Sequence, residues 1–190
     1  MNKSIQLMAR GAIMIALATV LSVFAVFKLP NGGSVTIGSM VPIIVFSLMA
    51  STKWGVLASV AYGVLQMMMG FYAPPTEDFL SFTLVILLDY IVAFGGLGLA
   101  GAICHRFHNK RAGILASSVI VVVIRFICHF LSGILIWDVY APEGQPVWLY
   151  SLLYNGSYMG AELVITVAIM AFLSVFLLRE DMQKKLSYTI

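Results

Sequence analysis

Asp89, His129, Trp137, Tyr150 and Asn155 all fall on or beside long apolar runs of this chain. Ionisable side chains are rare inside spanning helices, because a bilayer core offers them no water, and each is read first as functional. A carboxylate, an imidazole, an amide and several ring faces at one depth would form a pocket for a small, flat, positively charged ligand. The carboxylate supplies charge-assisted hydrogen bonds. Ring faces stabilise a desolvated cation by about 2 kcal/mol or more in favourable cases. The amide and imidazole meet polar ring atoms, which must not stay unpaired in a dry site.

Such residues need elements to position them, and composition says which kind. The 190 residues are 61% hydrophobic and 10% charged, with a mean hydropathy of +1.00. Soluble domains carry about 25% charged residues, so this chain lacks the polar surface for a water-facing shell. It reads as an all-α integral membrane protein, with residues 1–190 forming a single membrane domain. Six apolar stretches are drawn, at 5–27, 36–50, 54–70, 79–104, 112–137 and 150–178. A spanning helix needs about 20 apolar residues, so the second and third are short, but a bundle of six transmembrane helices is expected. No cleavable signal peptide is expected, because the first stretch lacks a small-residue cleavage site.

Charge distribution sets the orientation. Lys3, Arg10, Lys53, Arg106, Lys110, Arg111, Arg179, Lys184 and Lys185 fall on one side, and Lys28 with Glu77, Asp78, Asp138 and Glu143 on the other. The positive-inside rule then puts both termini in the cytoplasm. The formal net charge of +3 is too small to imply a nucleic-acid partner.

Several motifs match chemistry by letter only. Gly96-x-Gly98-x-x-Gly101 fits the dinucleotide fingerprint, but that motif needs a strand before it and a helix N-terminus after it. Inside an apolar helix its small residues favour close helix packing instead. Asn155-Gly156-Ser157 is a glycosylation sequon placed where a membrane helix begins. Cys104, His105 and His108 lie in a basic loop and fall short of the four ligands of a closed zinc site. Cys104 and Cys128 sit at opposite depths, beyond the roughly 7 Å Cα separation of a disulfide. No metal site and no catalytic set is expected. An enzyme using Asp89 and His129 as acid and base is the lesser alternative, since no nucleophile accompanies them.

Depth brings the pocket together. Asp89 lies about 15 Å along the inward-running fourth stretch, and His129 about 12 Å below the outer end of the fifth. Asn155 is about a turn and a half into the sixth, and Tyr72 belongs to the outer loop after the third. Arg125, His129, Gly133 and Trp137 recur at four-residue steps, which stack on one helix face. Gly133 removes a side chain between His129 and Trp137 and either leaves room for a ring or serves packing. Arg125 and Glu162, of opposite charge on the last two helices, are read as a structural ion pair or polar link between those helices in preference to ligand contact.

These residues resemble a known family: the thiamine-specific substrate-binding subunits (S components) of energy-coupling factor vitamin transporters. The similar stretches are Leu88-Asp89-Tyr90 with the glycine run to Gly101, Arg125-Phe126-Ile127-Cys128-His129-Phe130 through Gly133 and Trp137 to Tyr140, and Tyr150-Ser151-Leu152 to Asn155-Gly156. The resemblance implies thiamine contacts at Tyr72, Asp89, His129, Trp137, Tyr150 and Asn155. Tyr90, Arg125 and Glu162 are expected to surround them. Relatives can carry glutamate at the Asp89 position and a tryptophan in the first outer loop, which here reads Lys28-Leu29-Pro30-Asn31-Gly32-Gly33-Ser34 and has none.

The resemblance also implies that ATP hydrolysis belongs to two separate ATPase subunits and a membrane coupling subunit. Ala12-x-x-x-Ala16 on the first helix matches the docking strip expected for that subunit. The implied place is the bacterial cell membrane, multi-pass, with thiamine as ligand and no cofactor. An S component for riboflavin, another vitamin or a thiamine-precursor pyrimidine is the nearest alternative.

Overall fold

A computed structural model describes residues 3–76 and 78–179 of the chain. Glu77, Lys184 and Lys185, three of the residues in the charge pattern above, lie outside the described residues. Helix α1 (Lys3–Val23) leads into a hairpin of β1 (Ala25–Lys28) and β2 (Ser34–Thr36). Helices α2 (Val41–Met49) and α3 (Thr52–Met69) follow. Then come the long helices α4 (Phe79–Cys104), α5 (Lys110–Leu135) and α6 (Val147–Leu177). By length and composition α1, α4, α5 and α6 can each cross a membrane. At about 1.5 Å per residue, the nine residues of α2 fall well short of a bilayer core of about 30 Å.

The sequence boundaries are corrected in informative places. The first stretch does not stay helical to residue 27: α1 stops at Val23 and the chain turns into β1, so the fold is mostly helical with one small sheet. Val26 and Phe27 suit an extended, pleated backbone, and the turn between the strands is built on Gly32 and Gly33 at φ +86° and +77°. Only glycine adopts such angles without steric cost. The second stretch begins late because Gly38, at φ +83°, interrupts it, and Pro42 then opens α2 at its first turn. The fifth ends early, leaving Trp137 beyond the last turn of α5. The sixth starts early, so Tyr150 already sits in the first turn of α6.

Helix α4 keeps the expected limits but is not regular. Asp78 caps it by accepting from the Ser81 N–H at 2.9 Å, and that bond holds its carboxyl down at about 2. Residues Val85–Val92 are π-helical, and Gly96–Leu99 form a 3₁₀ segment before the α-turns resume at Ala100–Cys104. The glycine run explains the tight fit: a Cβ on Gly98 would stand 2.5 Å from the Val56 backbone, and one on Gly55 would stand 2.7 Å from the Gly98 carbonyl. The GxGxxG letters therefore serve close helix packing, Gly98 against α3, Gly96 against Ile124 of α5 and Gly101 against the Ser47 backbone of α2. Asn155-Gly156-Ser157 lies within α6. Both cysteines are free and buried.

Tyr62, Met40, Ile43, Ile44, Leu97 and Met170 form the most deeply buried part of the core. Outside, Ile13, Val20, Val164 and Phe172 are each more than half exposed. Apolar surface that is this widespread marks a contact with lipid or protein rather than water.

Candidate ligand-binding site

The π-helical stretch of α4 matters because Asp89 lies in its middle. A π turn widens the helix locally and re-aims its side chains, and such turns concentrate at functional sites. Here it turns Asp89 toward α5. The Oδ1 atom of Asp89 lies 2.9 Å from His129 Nδ1, and its Oδ2 accepts from the Ser132 hydroxyl at 2.7 Å. The Trp137 indole N–H points at both, 3.0 Å from Ser132 Oγ and 3.4 Å from Asp89 Oδ2. Having left α5, the chain thus brings the indole back onto the carboxylate. Trp137 is placed by this bond and by the turn at Asp138–Tyr140, not by the helical four-residue step.

His129 is held from its other side as well. Arg125 Nε donates to His129 Nε2 at 3.3 Å, which makes Nε2 an acceptor and leaves the ring proton on Nδ1, facing Asp89. The Arg125 guanidinium also lies 4.2 Å over the Phe94 ring, a cation–π contact that retains it in the wall. The expected ion pair between Arg125 and Glu162 is therefore not formed. Glu162 instead accepts from the N–H and hydroxyl of Thr36 at the end of β2. A carboxylate on α6 has met a backbone donor on a hairpin that the hydropathy profile had merged into a helix.

Asn155 fixes the seam between α5 and α6. Its amide nitrogen donates to the carbonyls of His129 at 3.2 Å and Ser151 at 3.0 Å, and its Oδ1 accepts from Tyr158 Oη at 2.9 Å. An amide oxygen has two lone pairs, so one stays available to a ligand. Gly133 belongs to this seam: a Cβ there would fall onto Ser151 Oγ and lie 3.0 Å from Asn155 Nδ2. Of the two readings of Gly133, close packing is what the geometry displays.

Together these groups bound a cavity of about 180 Å³. An enclosed apolar cavity of about 150 Å³ holds a benzene ring, so the space is on the scale of a small ring compound. Tyr72, Asp89, His129, Gly133, Trp137, Tyr150 and Asn155 all line it, as do Tyr90 and Arg125. Glu162 does not, and Ala12 and Ala16 lie on the exposed side of α1. Tyr90 works at the rim, donating to the Gly70 carbonyl at 3.0 Å and accepting from the Tyr72 N–H at 3.3 Å.

Sequence reasoning missed part of the wall and of what supports it. Ser132, which bonds Asp89, and Phe94, which carries Arg125, were not anticipated. Nor were Tyr154 and Tyr158, although Tyr150, Tyr154 and Tyr158 recur every four residues and stack on one face of α6. Their rings follow one another at 5.7 and 6.3 Å. The loop between α1 and α2 contributes residues 31–34 to the wall, so it borders the cavity without any tryptophan.

The arrangement places one carboxylate among tyrosine and tryptophan faces, with the Arg125 guanidinium of the same wall engaged by His129 and Phe94; the carboxylate and the ring faces suit a flat cation. The hydroxyl nearest the His129–Asp89 pair, that of Ser132, is committed to Asp89 and does not line the cavity, and among the described residues no group of three potential metal ligands occurs.

Comparison with known proteins agrees in scope. The thiamine transporter protein family (Thia_YuaJ) matches residues 8–181. The thiamine transporter ThiT of Bacillus subtilis is 33% identical over 186 residues, covering 91% of this chain and 93% of that protein. ThiT of Lacticaseibacillus paracasei is 30% identical over 96 residues, or 46% of this chain and 48% of the relative. The solved structure of ThiT from Listeria monocytogenes superposes with a TM-score of 0.72 at 22% identity, covering 97% of this chain and 99% of that one; at that identity the likeness concerns the fold. With nearly the whole length matched in family and relative alike, this chain belongs to the thiamine transporter protein family.

Proposed function

We propose that the chain is the thiamine-binding membrane subunit of an ATP-driven energy-coupling factor vitamin transporter, a binding and transport protein rather than an enzyme. It takes thiamine from the outer face of a bacterial cell membrane. In this reading residues 1–190 form a single multi-pass domain of six membrane segments, α2 being a short one, with both termini cytoplasmic. The exposed Arg10, Lys53, Arg106, Lys110, Arg111 and Arg179 support that orientation through the positive-inside rule. Hydrolysis of ATP belongs to two partner ATPases, reached through a membrane coupling subunit that docks on α1.

The observation that carries the reading is the Asp89 carboxylate, 16% exposed and hydrogen-bonded to His129, Ser132 and Trp137 in a wall of aromatic rings. Thiamine joins a permanently cationic thiazolium to an aminopyrimidine. The carboxylate offsets the charge, ring faces cover the two heterocycles, and Asn155 Oδ1 offers an acceptor to the exocyclic amine.

The test is equilibrium binding of thiamine to the detergent-purified chain, followed by tryptophan emission. Trp137 lines the cavity, whereas Trp54 and Trp148 do not, so thiamine should change the emission of the parent and not that of Trp137→Phe. Riboflavin and biotin are the controls. Equal responses to all three compounds, or none to thiamine, would count against the assignment.

A further inference from the structure

Tyr154, Tyr158 and Glu162 recur at i, i+4 and i+8 on α6 and so form one stripe. Each meets a successive point of the β1–β2 hairpin. At the tip, Tyr154 Oη donates to the Gly32 carbonyl at 2.8 Å and accepts from the Asn31 N–H at 3.2 Å. Midway, Gly33 lies flat against Tyr158, where a Cβ would come within 2.8 Å of the ring. At the root, Glu162 Oε1 accepts from both the N–H and the hydroxyl of Thr36, the latter at 2.7 Å. Ser39 N–H donates to the same hydroxyl oxygen at 3.1 Å. Glu162 and Thr36 are 2% and 4% exposed, and Glu162 Oε2 is buried without a protein partner. Because Tyr158 also bonds Asn155, which donates to the His129 carbonyl of α5, the stripe that seats the hairpin is also tied to the α5 wall.

We propose that Glu162 is a positioning residue that latches the hairpin wall of the pocket onto α6 and thereby sets how long a bound thiamine is retained. The retention half of this rests on the thiamine reading above. One carboxylate oxygen takes both donors of a single residue, so the root of the hairpin is held by two charge-assisted bonds. Swinging the hairpin outward would leave Glu162 buried with neither oxygen paired, a costly state in an apolar interior. The tip, held by neutral tyrosine bonds, opens more readily. Residues 31–34 line the cavity, so release of ligand past them requires movement against this latch.

Two measurements on the purified full chain test the latch: amide hydrogen exchange of the ligand-free protein, and thiamine dissociation followed through Trp137. Glu162→Leu should raise exchange across residues 25–39 while α4 and α5 keep their protection. It should also speed dissociation by about tenfold or more, the effect of losing hydrogen bonds to a charged group, with association changed far less. Glu162→Gln retains an acceptor oxygen for Thr36 and should restore most of both readings. Thr36→Val keeps the carboxylate and the backbone donor and should shift both in the same direction, by less.

Should Glu162→Leu not fold, Thr36→Val carries the test. Parental exchange in the hairpin together with parental dissociation would overturn the proposal, and so would an equal rise in exchange across all helices. If the parent chain binds no thiamine, the functional reading fails, while exchange in the ligand-free protein still decides whether Glu162 seats the hairpin.

Discussion

At the scale of single residues, Asp89 concentrates the chemistry of the pocket. Three donors from α5 and the turn after it converge on its two oxygens, which fixes the carboxylate before any ligand arrives. Preorganisation of this kind strengthens binding, because little ordering remains to be done on association. Asp89→Asn keeps the size and one acceptor oxygen but removes the charge that faces a cation. Losing a charge-assisted contact costs about 1.5–3 kcal/mol, so thiamine affinity should fall by about 10- to 150-fold. The variant should still fold, as a neutral side chain is less costly inside a membrane bundle. Titration calorimetry beside a thermal melt separates the two effects, and parental affinity in a folded Asp89→Asn protein would remove Asp89 as the counter-charge.

At the scale of elements, the glycines of α4 decide how closely the helices meet. Gly98 rests on the backbone of α3, which cannot swing aside as a flexible side chain would. Gly98→Ala should therefore force α3 and α4 apart and cost about 1–3 kcal/mol, read as a lower midpoint of unfolding. Gly160, on α6, faces open space, and a methyl group added there would meet nothing within 4 Å. Gly160→Ala should be neutral or gain up to about 1 kcal/mol from helix propensity. Equal destabilisation by both substitutions would mean that helix geometry, and not the α3–α4 crossing, sets the requirement at Gly98.

At the scale of the whole molecule, α1 stands apart. Only 17% of its spanning window is buried within the chain, against 44% for α4. Gly11 faces inward, where a Cβ would lie 3.2 Å from the Phe46 ring, while Ala12 and Ala16 face out. A strip of small residues on an outward face lets another helix approach closely. Replacing Ala12 or Ala16 with Trp should leave thiamine binding intact, since neither lines the cavity. It should abolish ATP-dependent uptake in vesicles containing the complete transporter. Loss of binding by the purified variant would place the strip in internal packing instead.

Membrane class and the long helices were legible in the sequence because hydropathy is a local property that adds up along the chain. Asp89, His129 and Asn155 were legible too, since a polar group in an apolar run stands out without any knowledge of its neighbours. The β1–β2 hairpin was not. Phe24-Ala25-Val26-Phe27 continues the apolar run of α1, and a short apolar run reads equally as helix or strand. That ambiguity misassigned Glu162 as well. Its partner Thr36 lies 126 positions away and offers a backbone N–H, a donor that every non-proline residue possesses and that composition therefore cannot single out. The π-helical turn that aims Asp89, and the return of Trp137 onto its carboxylate, were likewise settled only when the helices packed. Residue type reveals that a group is costly in a membrane, but which partner satisfies it depends on distances that only the folded chain creates.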